Sequence, residues 1–443
     1  SDGVRYENGE KVTVDDVAYG IKRSFYRRAF PNGPAYSNEC FLDGDRYRGP
    51  YASGTSYPGI VIEGNTLTLK MAKPFQDMPY WAAWPAIGPI PERGSDPATY
   101  GRHPLATGPY RFADYTPGKS LTLVRNEYWD PDTDPGRHGY PDRYEFTFDI
   151  PVGRIDATIL GDSAQAATTL SMTSVSADDY RRVAELNQLA FGSSPCTFFL
   201  SPDYRKITDV RVRQAIGYAL PYRDVARLYG TLGVTVFPGT SILPPGFPGR
   251  QDYNPLETNP GRTDVGMARA LLQEAGWSPG EFDLSFLYMK SDPVATEVIA
   301  EVAENLEAAG FNVTPFPTTS DEDFSEAYTD PNAPVNARLG GWCPDWASGS
   351  DWFPPVFQSD GEGNFAFFAE PEIDAEIERI LGLPVEQQTT AWGALDRLIM
   401  TEYYPVIVTG HPGVAMPHGS RIGGMNADDV WHIPTWKDIH IIP

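Results

Sequence analysis

Apolar and polar residues follow two rhythms along this chain. In the early part Val14, Val17, Ala18, Ile21 and Phe25 recur at helical spacing on one face. Thr13 precedes them and Asp16 follows three residues on, a capping box with Asp in place of the usual Glu. The pattern predicts a helix over Thr13 to Arg28. A two-residue alternation then takes over. "IVIEGNTLTLKM", Ile60 to Met71, reads as a hairpin turning at Gly64-Asn65, and Gly108 to Asn126 repeats that design around Pro117-Gly118.

Further on, strands and helices alternate. Asp209 to Leu228 reads as helix, with Val212, Ala215, Ile216 and Ala219 in one stripe and a break at Pro221. Asp264 caps a helix that ends at Gly276. A strand over Asp283–Met289, a helix over Val294–Ala309 stopped by Gly310 and a strand over Phe311–Phe316 follow. A helical stretch near Asp323–Tyr328 and a strand over Val335–Gly341 complete the series. This order predicts a parallel or mixed sheet with helices on its faces, an α/β architecture. Two more helices are expected near Pro371–Leu383 and Val385–Glu402, then a coil-rich tail with short strands. The loop "WCPDWASGSDW" leaves the carboxyl end of the strand "NARLGG", where open α/β sheets bind ligands.

Length and composition narrow the function. A chain of 443 residues suits two or three lobes. Hydrophobic residues at 41% and charged residues at 21% describe a globular chain. The net charge of −24 repels phosphate backbones, which argues against nucleic-acid partners and mildly favours cationic ligands. No apolar run is long enough to span a bilayer and no secretory signal opens the chain. The first residues read as a strand end entering a turn, so the natural N-terminus, with any leader or anchor, is expected to precede residue 1. Gly 42 and Pro 42 predict long ordered loops. Cys40, Cys196 and Cys343 form no C-x-x-C, which argues against a zinc ribbon or a thioredoxin-type site. One disulfide with one leftover thiol is open.

The chemical motifs are sparse. His103, His138, His411, His418, His432 and His440 are scattered without metal-ligand spacing. No G-x-S-x-G elbow or Walker loop occurs. "GEGNFA", Gly361 to Ala366, fits only the loosest dinucleotide pattern, and "DPDTDPG", Asp130 to Gly136, lacks the glutamate of a calcium loop. Asp345 and Asp351 share one short loop, a poor arrangement for the opposed carboxylates of a glycosidase. Asp345 between Trp342, Pro344 and Trp346 is different: in an apolar wall it needs a cation, from a protein side chain or a ligand ammonium.

Several segments together resemble one family. "VRYENGEKVTVDDVAYGIKRS", "ATGPYRFADYTPGKSLTLVRNEYW", "DVRVRQAIGYAL", "ARALLQEAGW" and "GGWCPDW" are similar, in order, to motifs of the family 5 extracellular solute-binding proteins of ABC importers. Ala106 replaces a family glycine, and the Tyr-Trp pair comes one residue early. The resemblance implies a periplasmic-binding-protein-like flytrap of type II, cluster C, with two main lobes and an inserted small lobe. By similarity, residues 1–103 form the small lobe, with the segment of lobe I expected before them absent. Residues 104–195 then belong to lobe I, 196–411 to lobe II, and 412–443 return to lobe I.

The same resemblance implies a non-enzymatic protein that captures short peptides or a related amine-bearing solute in an interlobe cleft. It would deliver them to an ABC permease in the membrane, as a monomer without cofactor or metal. Its place would be the extracellular face of the cytoplasmic membrane, with a lipid anchor, or the periplasm. Asp345 would hold the ligand's ammonium, and the backbone of Gly341, Trp342 and Cys343 would pair with the peptide as an added strand. Trp346, Trp352 and Asn364 are candidate ligand neighbours, and Arg338 stands one residue from an arginine that binds ligand carboxylates. Cys343 is expected to pair with Cys196. After Asp345, "WASGSDWFPP" and "GNFAFF" depart from the peptide binders, so an oligosaccharide or another small solute is the alternative ligand. A glycoside hydrolase using Asp345 and Asp351 is the third reading.

Overall fold

The computed structural model describes all residues except 1–2, 32, 34, 231–232, 257–259 and 429–432. His432 therefore lies outside the described residues. The chain divides into two units, residues 1–154 with 421–425 and 435–443, and residues 155–420 with 426–434.

In the first unit the capping box forms as expected. Thr13 Oγ1 accepts from Asp16 N–H at 3.2 Å, and the Asp16 carboxylate accepts from Thr13 N–H at 2.8 Å. The helix spans Val14–Ser24 and stops short of Arg28. Phe25 is fully buried at its end, where it meets the rings of Phe41, Tyr47 and Tyr57 with centroids 5.8, 5.2 and 5.0 Å away. That aromatic cluster lies in the core of this unit. The expected hairpin is β1 (Ile60–Glu63) against β2 (Thr66–Leu69). Gly64 at its turn has φ +61°, a conformation that favours glycine. The second hairpin, β3 (Tyr110–Thr116) and β4 (Ser120–Arg125), gains a third strand, β5 (Arg143–Thr147). Cys40 is a buried free thiol, pushed up to about 11 by burial.

The second unit carries the α/β pattern. Its sheet comprises β6 (Leu189–Ser193), β7 (Thr197–Pro202), β8 (Val236–Phe237), β9 (Phe282–Met289), β10 (Phe311–Thr318), β11 (Ala337–Trp342) and β12 (Ile407–Pro417). The order is β10-β9-β11-β7-β12-β6, with β8 added to β12. β9 runs parallel to β10 and β11, and the other pairs are antiparallel, so the sheet is mixed. The crossover helix Pro293–Ala309 begins at Asp292, which accepts from Val294 and Ala295 N–H, and ends at Gly310 with φ +104°. Its stripe of Val298, Ile299, Val302 and Leu306 is buried in the main core.

β12 is the longest of the strands that the sequence pattern missed, with β5, β6, β7 and β8. The tail looked coil-rich because Gly410, Pro412 and Gly413 interrupt its apolar rhythm, yet this 11-residue strand is central in the sheet. The pairing survives by changing partners along its length: β7 over Ile407–Gly410 with a register shift, β8 at His411–Pro412, and β6 over Gly413–Pro417.

A buried polar network crosses this sheet. Thr197 Oγ1 donates to Ile242 O at 2.6 Å, so toward His411 Nδ1, 3.0 Å away, it acts as acceptor. The Asp396 carboxylate accepts from Ile242 N–H (3.0 Å), Leu243 N–H (3.2 Å) and Tyr253 O–H (2.5 Å). Burial pushes His411 down to about 3 and Asp396 up to about 6. The two shifts act oppositely on stability. Folded His411 refuses the proton that the unfolded chain takes up near 6.5, so its contribution is present above that pH and lost on acidification. Asp396 is protonated more readily when folded, so its burial cost is relieved as pH falls from about 6 toward 3.8. The urea midpoint should therefore fall between pH 7 and 6 and flatten below. His411→Asn should remove the initial fall, and Asp396→Asn should prolong it toward pH 4, with slopes changing by about 1.4 kcal/mol per pH unit. Identical pH slopes in all three proteins would contradict this assignment.

Candidate functional site

Strands β7 and β11 set the site. Their antiparallel register places Trp342 opposite Thr197, Gly341 opposite Phe198 and Gly340 opposite Phe199. Cys196 and Cys343 stand one residue beyond the last pair, and a disulfide joins them, as the resemblance implied. On its other side β11 behaves differently. Among the described residues β9 pairs with it only at Ala337 and Arg338, although β9 itself continues to Met289 alongside β10. The carboxyl halves of two parallel strands thus part, leaving residues 339–342 with a strand partner on one edge only.

Beyond Cys343 the loop is braced from below. Asp351, 4% exposed, turns its carboxylate back to accept the N–H of Asp345 and, at 3.4 Å, that of Trp346. Trp342 Nε1 donates to Asp351 O at 2.8 Å. Ser348 starts the short turn Gly349–Asp351 by accepting from Ser350 N–H. Below it Trp352 and Phe353 are fully buried, and the Phe353 ring stacks on Trp392 at 5.3 Å. Gly349 is required by that packing, since a β carbon there would sit 2.3 Å from Trp392 Cγ. The two aspartates thus differ in role. Asp351 braces the backbone, whereas Asp345 is half-buried on top of the brace.

The remaining residues singled out in the sequence lie deeper. Trp346 is 4% exposed and Trp352 is enclosed. Asn364 closes its own loop: Nδ2 donates to Gln358 O and Phe368 O, and Oδ1 accepts from Phe368 N–H. That loop packs on Trp342, because a β carbon at Gly363 would lie 2.6 Å from Trp342 Cζ3. Arg338 is fully buried, donates from Nη2 to Asp330 O at 3.2 Å, and stacks over the Phe367 ring at 5.0 Å. Burial lowers its pKa. The structure therefore gathers Gly341, Trp342, Cys343 and Asp345 at the strand end, with Trp346, Trp352, Asn364 and Arg338 beneath or behind them. Sequence reasoning passed over Phe198. Its signal was the apolar run "TFFL" after Cys196, too short to separate strand from helix.

The other motifs resolve locally. In the acidic turn Asp130 accepts from Asp132 N–H, and Asp134 accepts from Trp129 Nε1 and Arg137 Nε. Among the described residues no group of three or more His, Cys, Asp or Glu is placed to hold a metal ion. No described helix is long and apolar enough to cross a membrane.

Comparison with known proteins identifies the family and the fold. The family described as "Bacterial extracellular solute-binding proteins, family 5 Middle" matches residues 1–364. "Heme-binding protein A" of Haemophilus influenzae is 23% identical over 95% of this chain and 77% of its own length. "Probable peptide-binding protein YejA" of Agrobacterium fabrum is 22% identical over 68% of this chain, and the match spans 57% of that relative. Among solved structures, "Clavulanic acid biosynthesis oligopeptide binding protein 2" superposes with a TM-score of 0.88 at 23% identity, covering 100% of this chain and 83% of that one. The "MppA Periplasmic Murein Tripeptide Binding Protein, Unliganded Open Form" gives 0.77 at 16% identity, covering 100% and 85%. These structural likenesses show the fold.

The disulfide and the Asp351 brace should be separable by mutation. A Cys196→Ala/Cys343→Ala variant should lose about 2–4 kcal/mol of unfolding free energy in urea, because the closed loop constrains the unfolded chain. Asp351→Ala leaves buried N–H donors without their acceptor and should lose about 1–3 kcal/mol in the same assay. A variant as stable as the parent would remove the corresponding constraint from this description.

Proposed function

From the premise that the chain belongs to the bacterial extracellular solute-binding proteins of family 5, we propose that it captures short peptides or a related amine-bearing solute. Delivery to a membrane permease is part of this proposal. The observation that carries it is the half-open edge of β11, which leads into the loop that holds Asp345. An extended peptide laid along residues 339–342 would complete the missing strand pairing through main-chain hydrogen bonds, which are indifferent to ligand sequence. Its amino terminus would then reach Asp345, whose backbone the Asp351 carboxylate already holds in place. Positioning a carboxylate on a rigid loop reduces the ordering cost of binding a cation. The net charge of −24 adds a long-range attraction for those ligands that carry a net positive charge.

A second reading keeps the site and changes the solute. Trp342 is half-buried beside the Asp345 loop, so an indole could stack on a sugar ring while the carboxylate accepts hydroxyl hydrogen bonds. The two readings diverge on the amine. Calorimetry with trialanine, N-acetyl-trialanine and neutral oligosaccharides decides between them. Trialanine should bind, acetylation should abolish binding, and Asp345→Asn should weaken it by about 2–5 kcal/mol. Equal affinity of Asp345→Asn and parent for trialanine would remove the proposed anchor. Oligosaccharide binding without trialanine binding would establish the second reading.

A further inference from the structure

Phe198 is out of keeping with its strand. Its neighbours in β7 are buried, Thr197 and Leu200 fully and Phe199 at 1% exposure, yet Phe198 is 39% exposed. The strand is interior to the sheet, between β11 and β12, so this is not the exposure of an edge. Side chains two apart share a sheet face, which puts Phe198 on the face of Leu200 and of their partners Gly341 and Leu339. Along that face the cover is complete at Leu200 and ends before Phe198, at the same end where β11 parts from β9.

The residue opposite makes the exposure consequential. Gly341 has no side chain, and β7 closes on it: a β carbon built there would lie 2.5 Å from Thr197 O, 2.9 Å from Phe198 Cδ1 and 3.2 Å from Phe198 Cα. Adjacent strands are about 4.8 Å apart, so a segment on the free edge of β11 lies roughly 10 Å from β7. A side chain at position 341 would ordinarily screen one from the other. Here the glycine leaves the exposed Phe198 ring unscreened by a β11 side chain. Cross-strand aromatic neighbours of this kind interact favourably with apolar partners.

We infer that Phe198 is a specificity-determining residue, which selects an apolar or aromatic side chain on the ligand residue aligned with Gly341. This rests on the reading of β11 and Asp345 as a peptide site and adds a side-chain preference to it. Main-chain pairing and the ammonium anchor are common to all peptides, whereas Phe198 touches only the side chain that points to its face.

The test uses the full chain and four probes, trialanine and the three tripeptides in which one alanine is replaced by phenylalanine, titrated by calorimetry. The parent should bind at least one phenylalanine peptide more tightly than trialanine, on the order of tenfold. Phe198→Ala should lose that preference while holding trialanine within about twofold of the parent. Phe198→Tyr, which keeps the ring, should retain the preference. An undiminished preference in Phe198→Ala, or an equal loss of affinity for all four peptides, would overturn the inference, the second by showing a structural role. Binding of none of the four by the parent would instead fail the peptide reading itself, and the inference with it.

Discussion

The register of β7 against β11 is the constraint on which the site depends. A slip of one residue would move every side chain of one strand to the opposite face. Gly341 would no longer lie opposite Phe198, and the cysteines would no longer flank the last pair. The disulfide locks that register at the end where sheet pairing is weakest, just where β9 has already left β11. The Asp345 loop therefore starts from a fixed point. Asp351 then fixes its far side, and the loop is held at both ends by bonds that do not involve Asp345's own carboxylate.

The motif "DVRVRQAI" shows how a recognisable sequence can serve the scaffold. Asp209 caps the helix Val210–Ala219 by accepting from Arg211 N–H, and Arg211 clasps the Asp209 carboxylate from outside. Arg213, one turn in, is buried and donates to the carbonyls of Ile207, Tyr403 and Tyr404. Those carbonyls include the left-handed Tyr404, φ 48°, which ends the helical run after Val385–Leu398 and turns the chain into β12. A buried guanidinium is costly unless its donors are satisfied. Here two of the three satisfying groups, Tyr403 O and Tyr404 O, are carbonyls freed where a helix stops, so one residue resolves two problems of unpaired polarity.

How much of this was legible in the sequence follows the strength of local signals. The helix at Val14, both hairpins and the β9–helix–β10 unit carry caps, turn glycines and clean periodicity, and they form within a few residues of expectation. β7 and β12 carry weaker signals. A strand with a short apolar run, Phe198 to Leu200, and a strand broken by glycine and proline owe their structure to pairing with distant strands. The site divides in the same way. Cys196, Cys343 and the Asp345 loop stood out by composition and by family resemblance. The bracing role of Asp351 and the exposure of Phe198 depend on which face of the sheet each residue occupies, and that follows only from the register of strands far apart in sequence.

The segment "GNFAFF", which departs from the peptide-binding pattern, acquires a physical reason in the structure. Behind β11 the buried carboxylate of Asp203 is held by Arg205 at 3.0 and 2.7 Å and by Lys206 at 3.4 Å. Arg338 is thus left to share the field of an aspartate already engaged by two other cations. Phe367 lies beneath both guanidiniums, 3.9 Å from Arg205 and 5.0 Å from Arg338. An aromatic face offers a cation partial negative charge without bringing another carboxylate into the interior. Phe365 meets Tyr328 at 4.5 Å, and Tyr328 closes over Gly340 so tightly that a β carbon there would touch its hydroxyl. The aromatic loop therefore stabilises the concealed face of β11 while Gly341 and Phe198 shape the open one. Changes in this loop should act on the proposed site through the position of β11, because Phe367 and Phe365 are turned toward Arg338 and Tyr328.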